Sequence, residues 1–219
     1  MTVVQNLGKT NSVFNQFISE LRNIEIQSER MRFRRNLERI GEIFAYEISK
    51  TFEYKQVGVV TPLGIADMEL MNEQPVLVTI LRAGLPLHQG MLNYFDRADN
   101  GFIAAYRKYD KNEDFEIRVE YSSTPSIENR VLILSDPMLA SGASIVQSLK
   151  GLLAENGKPK HIHIVSAIAS IEGIEFVKRN LSLYNITIWT GAIDDELTAH
   201  AYIVPGLGDA GDLAYGLKI

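Results

Sequence analysis

Residues 131–144, Val-Leu-Ile-Leu-Ser-Asp-Pro-Met-Leu-Ala-Ser-Gly-Ala-Ser, constrain the fold more than any other stretch of this chain. Val131 to Leu134 are consecutive apolar residues bounded by turn signals, the pattern of a short buried strand. Asp136 follows at its end. Ala140-Ser141-Gly142-Ala143-Ser144 then makes a small-residue turn that runs into an amphipathic helix. Ile145, Leu149, Leu152 and Leu153 share one face of that helix, and Gly157 with Pro159 stops it. A strand, a small-residue turn and a helix N-terminus form an anion site, because the first helical N–H groups lack internal partners and the dipole is positive there. Ser141 and Ser144 add hydroxyl donors, and the lack of bulk lets a phosphate reach the backbone. Asp136 adds an acceptor that a plain phosphate site does not need. On shape alone, the same residues also read as an ordinary strand-to-helix turn with Ser as N-cap.

The rest of the chain repeats the strand–helix theme. Residues 33–49 read as a helix with Phe33, Leu37, Ile40, Phe44 and Ile48 on one face. Strand-like runs recur at Val57–Val60, Val76–Leu81, Phe102–Tyr106, Val131–Leu134, Ile162–Ile168 and Ile186–Trp189, with helical segments at 144–156 and 172–180 between several of them. That alternation predicts an α/β fold with a mainly parallel central sheet flanked by helices. No long linker, repeat or low-complexity segment interrupts it, and 219 residues suit one domain over residues 1–219. Residues 107–130 are different in kind. Phe115, Ile117, Val119 and Tyr121 alternate beyond the polar run Lys111-Asn112-Glu113-Asp114, as in an exposed hairpin. Such an excursion beside an active site serves as a lid, and elsewhere is a plain surface hairpin.

Composition narrows the classes of function. A net charge of −5 gives no electrostatic footprint for nucleic acid, so an anion must be held by locally gathered arginines and backbone N–H groups. With no cysteine there is no disulfide frame and no thiolate chemistry. No apolar run approaches the roughly 18 residues of a membrane span, and Met-Thr-Val-Val-Gln-Asn does not read as a signal peptide. The expectation is a soluble cytoplasmic protein with neither a membrane nor a nucleic-acid partner.

Four further features carry chemistry or imitate it. Arg82 follows the strand Val76–Leu81 and precedes Ala83-Gly84, where a guanidinium suits a diphosphate or, as a lone arginine, a surface ion pair. Gly206-Leu-Gly208-Asp-Ala-Gly211 matches the dinucleotide-binding pattern G-x-G-x-x-G. It lacks the following helix and the acid about 20 residues on, and reads instead as a tight loop approaching a small flat ligand. The basic cluster Arg30, Arg32, Arg34, Arg35 and Arg39 reads as a solvated or subunit-facing side of the first helix, with a regulatory anion site as the sharper alternative. His161 and His163 share one face of a strand. Without a third ligand they predict a structural role and no metal site.

Residues 131–144 resemble the phosphoribosyl-diphosphate (PRPP) signature of the type I phosphoribosyltransferases, and Asp136-Pro137-Met138-Leu139-Ala140 resembles the form found in the uracil phosphoribosyltransferases. The run Tyr202-Ile203-Val204-Pro205-Gly206-Leu207-Gly208-Asp209-Ala210-Gly211-Asp212 is similar to that family's uracil-binding end. Ile80-Leu81-Arg82-Ala83-Gly84-Leu85 and Tyr106-Arg107 match two further segments in the family order, so the similarity spans roughly residue 30 onward. The resemblance implies transfer of the phosphoribosyl group of PRPP to uracil, giving UMP and diphosphate. It assigns the 5-phosphate to Ala140, Ser141, Gly142, Ala143 and Ser144, with Pro137, Met138 and Leu139 beside them. Asp136 would hold the ribose hydroxyls, and Arg82 and Arg107 the leaving diphosphate together with a Mg²⁺ carried mainly by PRPP. Asp136 and Arg107 are the catalytic candidates. Ile203, Gly208, Asp209 and Ala210 would bind uracil, with Asp209 also near PRPP.

The same resemblance implies a flexible catalytic flap over about 107–130 and a small C-terminal hood with a base-binding segment over about 192–219. It also implies a homodimer or higher homo-oligomer and, as in some relatives, a GTP effector. The chain departs from the family pattern at Ser135, at Ser141 in place of Thr, at Ala143 in place of a second Gly, at Ser170-Ile171 and at Leu213. Ala143 matters if its position requires positive φ. Two alternatives remain: transfer to another nucleobase, against which the uracil-type end stands, and an RNA-binding regulator with little activity, against which the charge stands.

Overall fold

In a computed structural model the described residues are 2–109 and 115–217, with the backbone alone described at 105–109 and 115–120. The elements in chain order are β1 (Thr2–Asn6), α1 (Val13–Arg22), α2 (Arg30–Ser49), β2 (Tyr54–Thr61), β3 (Gly64–Met71), β4 (Val76–Leu81), α3 (Leu85–Leu92), β5 (Asp99–Tyr109) and β6 (Phe115–Ser123). They continue as β7 (Val131–Ser135), β8 (Met138–Leu139), α4 (Ala143–Glu155), β9 (His161–Ser170), α5 (Ile171–Asn180), β10 (Ile186–Asp194), β11 (Glu196–Leu197), β12 (Ile203–Val204) and α6 (Ala210–Tyr215).

The central sheet runs β1-β10-β9-β7-β4-β5-β6, with β8 adding to the far end of β9. Every neighbouring pair is parallel except β5–β6. Strands buried on both faces need apolar residues at every position, and β4 and β7 read Val-Leu-Val-Thr-Ile-Leu and Val-Leu-Ile-Leu-Ser for that reason. Alternate residues feed opposite cores. Leu77, Ile133, Val165 and Trp189 face α1, α2 and α3, where Phe14, Phe33, Phe44 and Leu87 meet them. Val78, Leu134, Ile164 and Ile188 face α4 and α5, against Ile145, Leu149, Ile174 and Val177. Burial of aliphatic and aromatic side chains at about 1.5–3 kcal/mol each is the main stabilising term on both sides.

Several expectations need correcting. Val57–Val60 belongs to β2, which pairs only with β3 as a separate antiparallel hairpin outside the central sheet. The edge strand β1, the helices α1 and α3 and the C-terminal helix α6 lie in stretches not predicted as elements. The first predicted helix starts at Arg30 rather than residue 33. β5 and β6 form the antiparallel hairpin expected after residue 107, and β5 runs on to Tyr109 past Ala104, which pairs with Leu81 at the end of β4. The run Lys111-Asn112-Glu113-Asp114 lies outside the described residues. Among the described residues no helix is long and apolar enough to cross a membrane.

Candidate active site

In an open α/β sheet, ligands gather at the strands' carboxyl ends, where connections to the two faces diverge. Here the carboxyl ends of β4 and β7, neighbours in the sheet, carry Arg82 and Asp136. A cleft of about 500 Å³ opens over them. Its floor includes Ile80, Arg82 and Asp136, one wall is Met138 to Gly142 with Ser144, and the other is Ala201 to Ile203 with Gly208 to Asp212.

The anion wall is built from backbone. Gly142 is the N-cap of α4 at φ +79° and has no side chain to cap the helix, so the N–H groups of Ser144 and Ile145 remain available on that side. A Cβ at Gly142 would sit 2.9 Å from the carbonyl oxygen of Gly173, so both conformation and space demand glycine. The Ala143 N–H donates to Ser141 Oγ at 3.4 Å. Ala143 itself is the first helical residue and does not take positive φ, so the missing second glycine leaves this turn unstrained. Behind the turn, Ser170 Oγ donates to the Ala140 carbonyl at 2.6 Å and accepts from Gly173 N–H at 2.8 Å, capping α5. The Ser170 departure thus has a structural use. Ser135 is equally accounted for: its hydroxyl donates to the Val78 carbonyl at 3.4 Å, and its own carbonyl accepts from Thr79 Oγ1 at 3.1 Å.

Asp136 is half-buried, and its Oδ1 accepts from Met138 N–H at 3.3 Å, which aims the carboxylate along the turn. Arg82 reaches across the cleft to the hood. Its Nη2 donates to Asp212 Oδ1 at 3.1 Å and to the Gly216 carbonyl at 3.2 Å. The hood consists of the β11–β12 pair and α6. Asp209 caps α6, its Oδ1 accepting from Asp212 N–H at 2.9 Å, so Gly208 to Ala210 meet the cleft as a helix entry rather than the bare loop expected.

Most predicted site residues therefore line one cavity: Arg82, Asp136, Met138 to Gly142, Ser144, Ile203 and Gly208 to Ala210. Pro137 and Ala143 do not line it. Pro137 is buried with its carbonyl turned to Ile168 N–H at 3.1 Å, and Ala143 is committed to the helix start. The backbone of Arg107 pairs with Ile117, while its side chain lies outside the described residues.

The sequence reasoning missed Tyr202, 44% exposed on the cleft wall, and Asp212, which was quoted in the motif but given no role. It also missed a clamp behind the wall formed by Ala201 to Ile203 and Gly208 to Asp212. Arg22 grips Asp194 through two bonds of 2.8 Å, and Gly206 is held by both its backbone groups. Its N–H donates to Asp194 Oδ2 at 2.9 Å, and its carbonyl accepts from Arg22 at 3.0 Å. Gly206 stands at φ +53°, where a Cβ would lie 2.1 Å from the Ile203 carbonyl oxygen. No local signal links residues 22 and 194. The α2 arginines remain a largely solvated face with local partners: exposed Arg32 pairs with Glu20, exposed Arg35 pairs with Glu38 one turn along the helix, and half-buried Arg34 donates to the Ala214 carbonyl.

An α/β sheet that offers an anion turn, an acid and a guanidinium at neighbouring strand ends suits a phosphorylated sugar, and the class it defines is that of the type I phosphoribosyltransferases. A family model described as uracil phosphoribosyltransferase matches residues 9–216. A uracil phosphoribosyltransferase of Porphyromonas gingivalis is 52% identical over 216 residues, covering 99% of each chain. One from Methanococcus maripaludis is 38% identical over 204 residues, 91% of this chain and 84% of that one. A solved structure of a protein from Aquifex aeolicus superposes with a TM-score of 0.86 at 26% identity, covering 99% of this chain and all of that one. The chain belongs to the uracil phosphoribosyltransferase family.

Proposed function

We propose that this chain transfers the phosphoribosyl group of PRPP to N1 of uracil, giving UMP and diphosphate, a pyrimidine-salvage reaction. The observation that carries this reading is the convergence of the α4 anion turn, Asp136, Arg82 and the Gly208–Ala210 backbone on one cleft. In it the turn 140–144 holds the 5-phosphate on backbone N–H groups and serine hydroxyls. Asp136 accepts from the ribose hydroxyls and stabilises positive charge that grows on the sugar carbon as the C1–O bond breaks. Uracil N1 bonds to that carbon, its proton is released, and diphosphate leaves with the electron pair of the broken bond. Arg82 takes up charge on the departing group. Positioning and electrostatics supply the rate, with no covalent intermediate.

The carboxylates on the cleft wall, Asp209 and Asp212, are hard oxygen donors of the kind Mg²⁺ accepts, and they sit beside Arg82. A Mg²⁺ brought in on PRPP would be held there and neutralise diphosphate charge. Arg107 and a lid role for residues 107–130 belong to the same reading, supported by the extension of β5 beyond the end of β4. So do a cytoplasmic location and self-association. The β2–β3 hairpin supports the latter, because it carries Val60, Leu63 and Ile65 at 83%, 100% and 76% exposure. A GTP effector draws no support from the α2 arginines, since Arg32, Arg34 and Arg35 are engaged within the chain. Incubating the protein with PRPP, Mg²⁺ and radiolabelled uracil tests the proposal directly. Labelled UMP is the expected product, and its absence with folded protein would overturn the reading.

A further inference from the structure

A second cavity, of about 370 Å³, lies at the opposite end of the sheet. It opens at the amino ends of β7, β9 and β10, where Val131, His161, His163 and Thr187 face it. Phe52 forms one wall, with its ring stacked on Phe95 at 5.5 Å. Thr51, Glu53, Glu73 and Lys160 make the mouth.

The decisive group is His163, which is only 3% exposed. Its Nδ1 lies 3.0 Å from Trp189 Nε1. An indole N–H only donates, so Nδ1 must carry the lone pair and Nε2 the proton. Burial holds the ring's pKa down to about 3, which keeps this neutral tautomer at physiological pH. The Nε2–H has no hydrogen-bond partner among the described residues, although the ring lines the cavity. His163 Nε2 is not among the fully enclosed polar atoms that lack a partner, so this donor of fixed direction keeps access to the cavity, where a ligand acceptor can meet it in place of solvent. Beside it, the His161 ring lies 4.5 Å from that of His163, and its Nε2 is 3.0 Å from Thr187 Oγ1. The lining is thus flat, aromatic and uncharged around one outward donor.

Charge at the mouth selects further. Lys160 pairs with Glu73, and Glu53 adds a second carboxylate, so the rim is anionic by one charge. That disfavours phosphorylated ligands. The volume falls in the range of small-molecule pockets, and a polar planar ring matches the wall of Phe52 and the histidines.

We propose that this cavity binds an uncharged, planar nitrogen heterocycle of nucleobase size, free or as its nucleoside, through an acceptor placed on His163 Nε2–H. Glu53 and Glu73 are the residues at the two roots of the β2–β3 hairpin, so an occupant would bridge that hairpin and the central sheet.

Trp189, the chain's single tryptophan, is bonded to the very ring that would receive the ligand, and so reports on it. The experiment titrates adenine, adenosine and AMP into the full-length protein saturated with UMP, which occupies the active cleft. Trp189 fluorescence and the ¹⁵N shift of His163 Nε2 are the readouts. Adenine or adenosine should give saturable changes in both, with AMP at least tenfold weaker. His163→Phe should weaken binding at least tenfold while leaving uracil transfer unchanged. Thr51→Phe, a substitution at an exposed position of the mouth, should block binding without touching the Trp–His bond, and it decides the matter if His163→Phe does not fold. No shift of His163 Nε2 at millimolar adenine and adenosine, or binding that survives Thr51→Phe, would overturn the proposal. Failure here leaves the transferase reading intact, because the two cavities share no residue.

Discussion

The clamp of Arg22 and Asp194 on Gly206 gives the sharpest prediction. Asp194→Asn keeps the shape of a side chain that is 8% exposed but removes its charge and turns an amide toward the Arg22 guanidinium. Breaking a fully buried ion pair costs about 3–5 kcal/mol, and Arg22 at 23% exposure retains enough water to place this case at the lower end, about 3 kcal/mol. The same substitution weakens the hold on Gly206 N–H, a charge-assisted bond of 2.9 Å. Such bonds are worth about 1.5–3 kcal/mol, so the turn leading into Gly208–Ala210 loses its fixed position by roughly that amount. Since the proposed function sets uracil against the displaced backbone, KM for uracil should rise about tenfold to a hundredfold. Saturated kcat and KM for PRPP should stay within about threefold of the wild type. Steady-state kinetics with each substrate varied in turn, alongside urea unfolding, measure both effects. Arg22→Lys, which keeps the charge but not the fork, should fall between the two proteins. A uracil KM within twofold of wild type despite the lost stability would refute the positioning argument. An equal rise in the PRPP KM would do so as well.

Other outcomes follow from the same geometry. Asp136→Asn should lower kcat by about two decades or more with a smaller change in KM, because the carboxylate's charge matters most when the ribose carbon is cationic; activity within threefold of wild type would sink its role. Cytosine should be essentially inert as acceptor while 5-fluorouracil reacts, since main-chain groups at Gly208–Ala210 that match uracil meet a donor and lack an N3 proton in cytosine, at about 1–3 kcal/mol per unpaired group. Comparable kcat/KM for cytosine and uracil would refute main-chain base recognition. Stability should fall on acidification: burial holds His163 to about 3 and His88 to about 4 against the usual 6.5, so below pH 6.5 the unfolded chain binds protons that the folded one refuses. The two rings together should cost about 3 kcal/mol between pH 6.5 and 5, read from urea midpoints; a midpoint that stays level or rises would contradict their neutrality.

What could be read from the sequence was what local pattern determines. The Val131–Ser144 stretch announced strand, turn and helix because all three lie within a few residues, and α4 and α5 begin within a residue of where their periodicity placed them. Val57–Val60 showed that it was a strand but not which sheet it joins, since β-branched residues look alike in an isolated hairpin and a central sheet. The pairing of Thr2–Asn6 with residues 186–190 depends on contacts across nearly the whole chain. α1 had a usable signal in the Ser12 cap and the spacing of Phe14, Ile18 and Leu21. The lining of the candidate cleft was legible where its residues sit in recognisable segments. Its supports were not: Arg22 and Asp194 each look like surface charges until the fold sets them side by side.

The contact between Ser170, Gly173 and Ala140 also determines how far this site can be reshaped. A methyl group at Gly173 would sit 2.1 Å from the Ala140 carbonyl oxygen, and one at Gly142 would meet the Gly173 carbonyl. The back of the 140–144 turn therefore has no slack: residues 140–142 and the start of α5 can be exchanged only as a set, never one at a time. An attempt to admit a sugar with a bulkier 5-substituent has to make its room elsewhere in the lining, by trimming Met138 or Ser144 on the turn's own wall or Tyr202 across from it. Directed libraries that vary those three positions and leave 140–142 and 170–173 untouched should retain far more folded members than libraries that do the reverse.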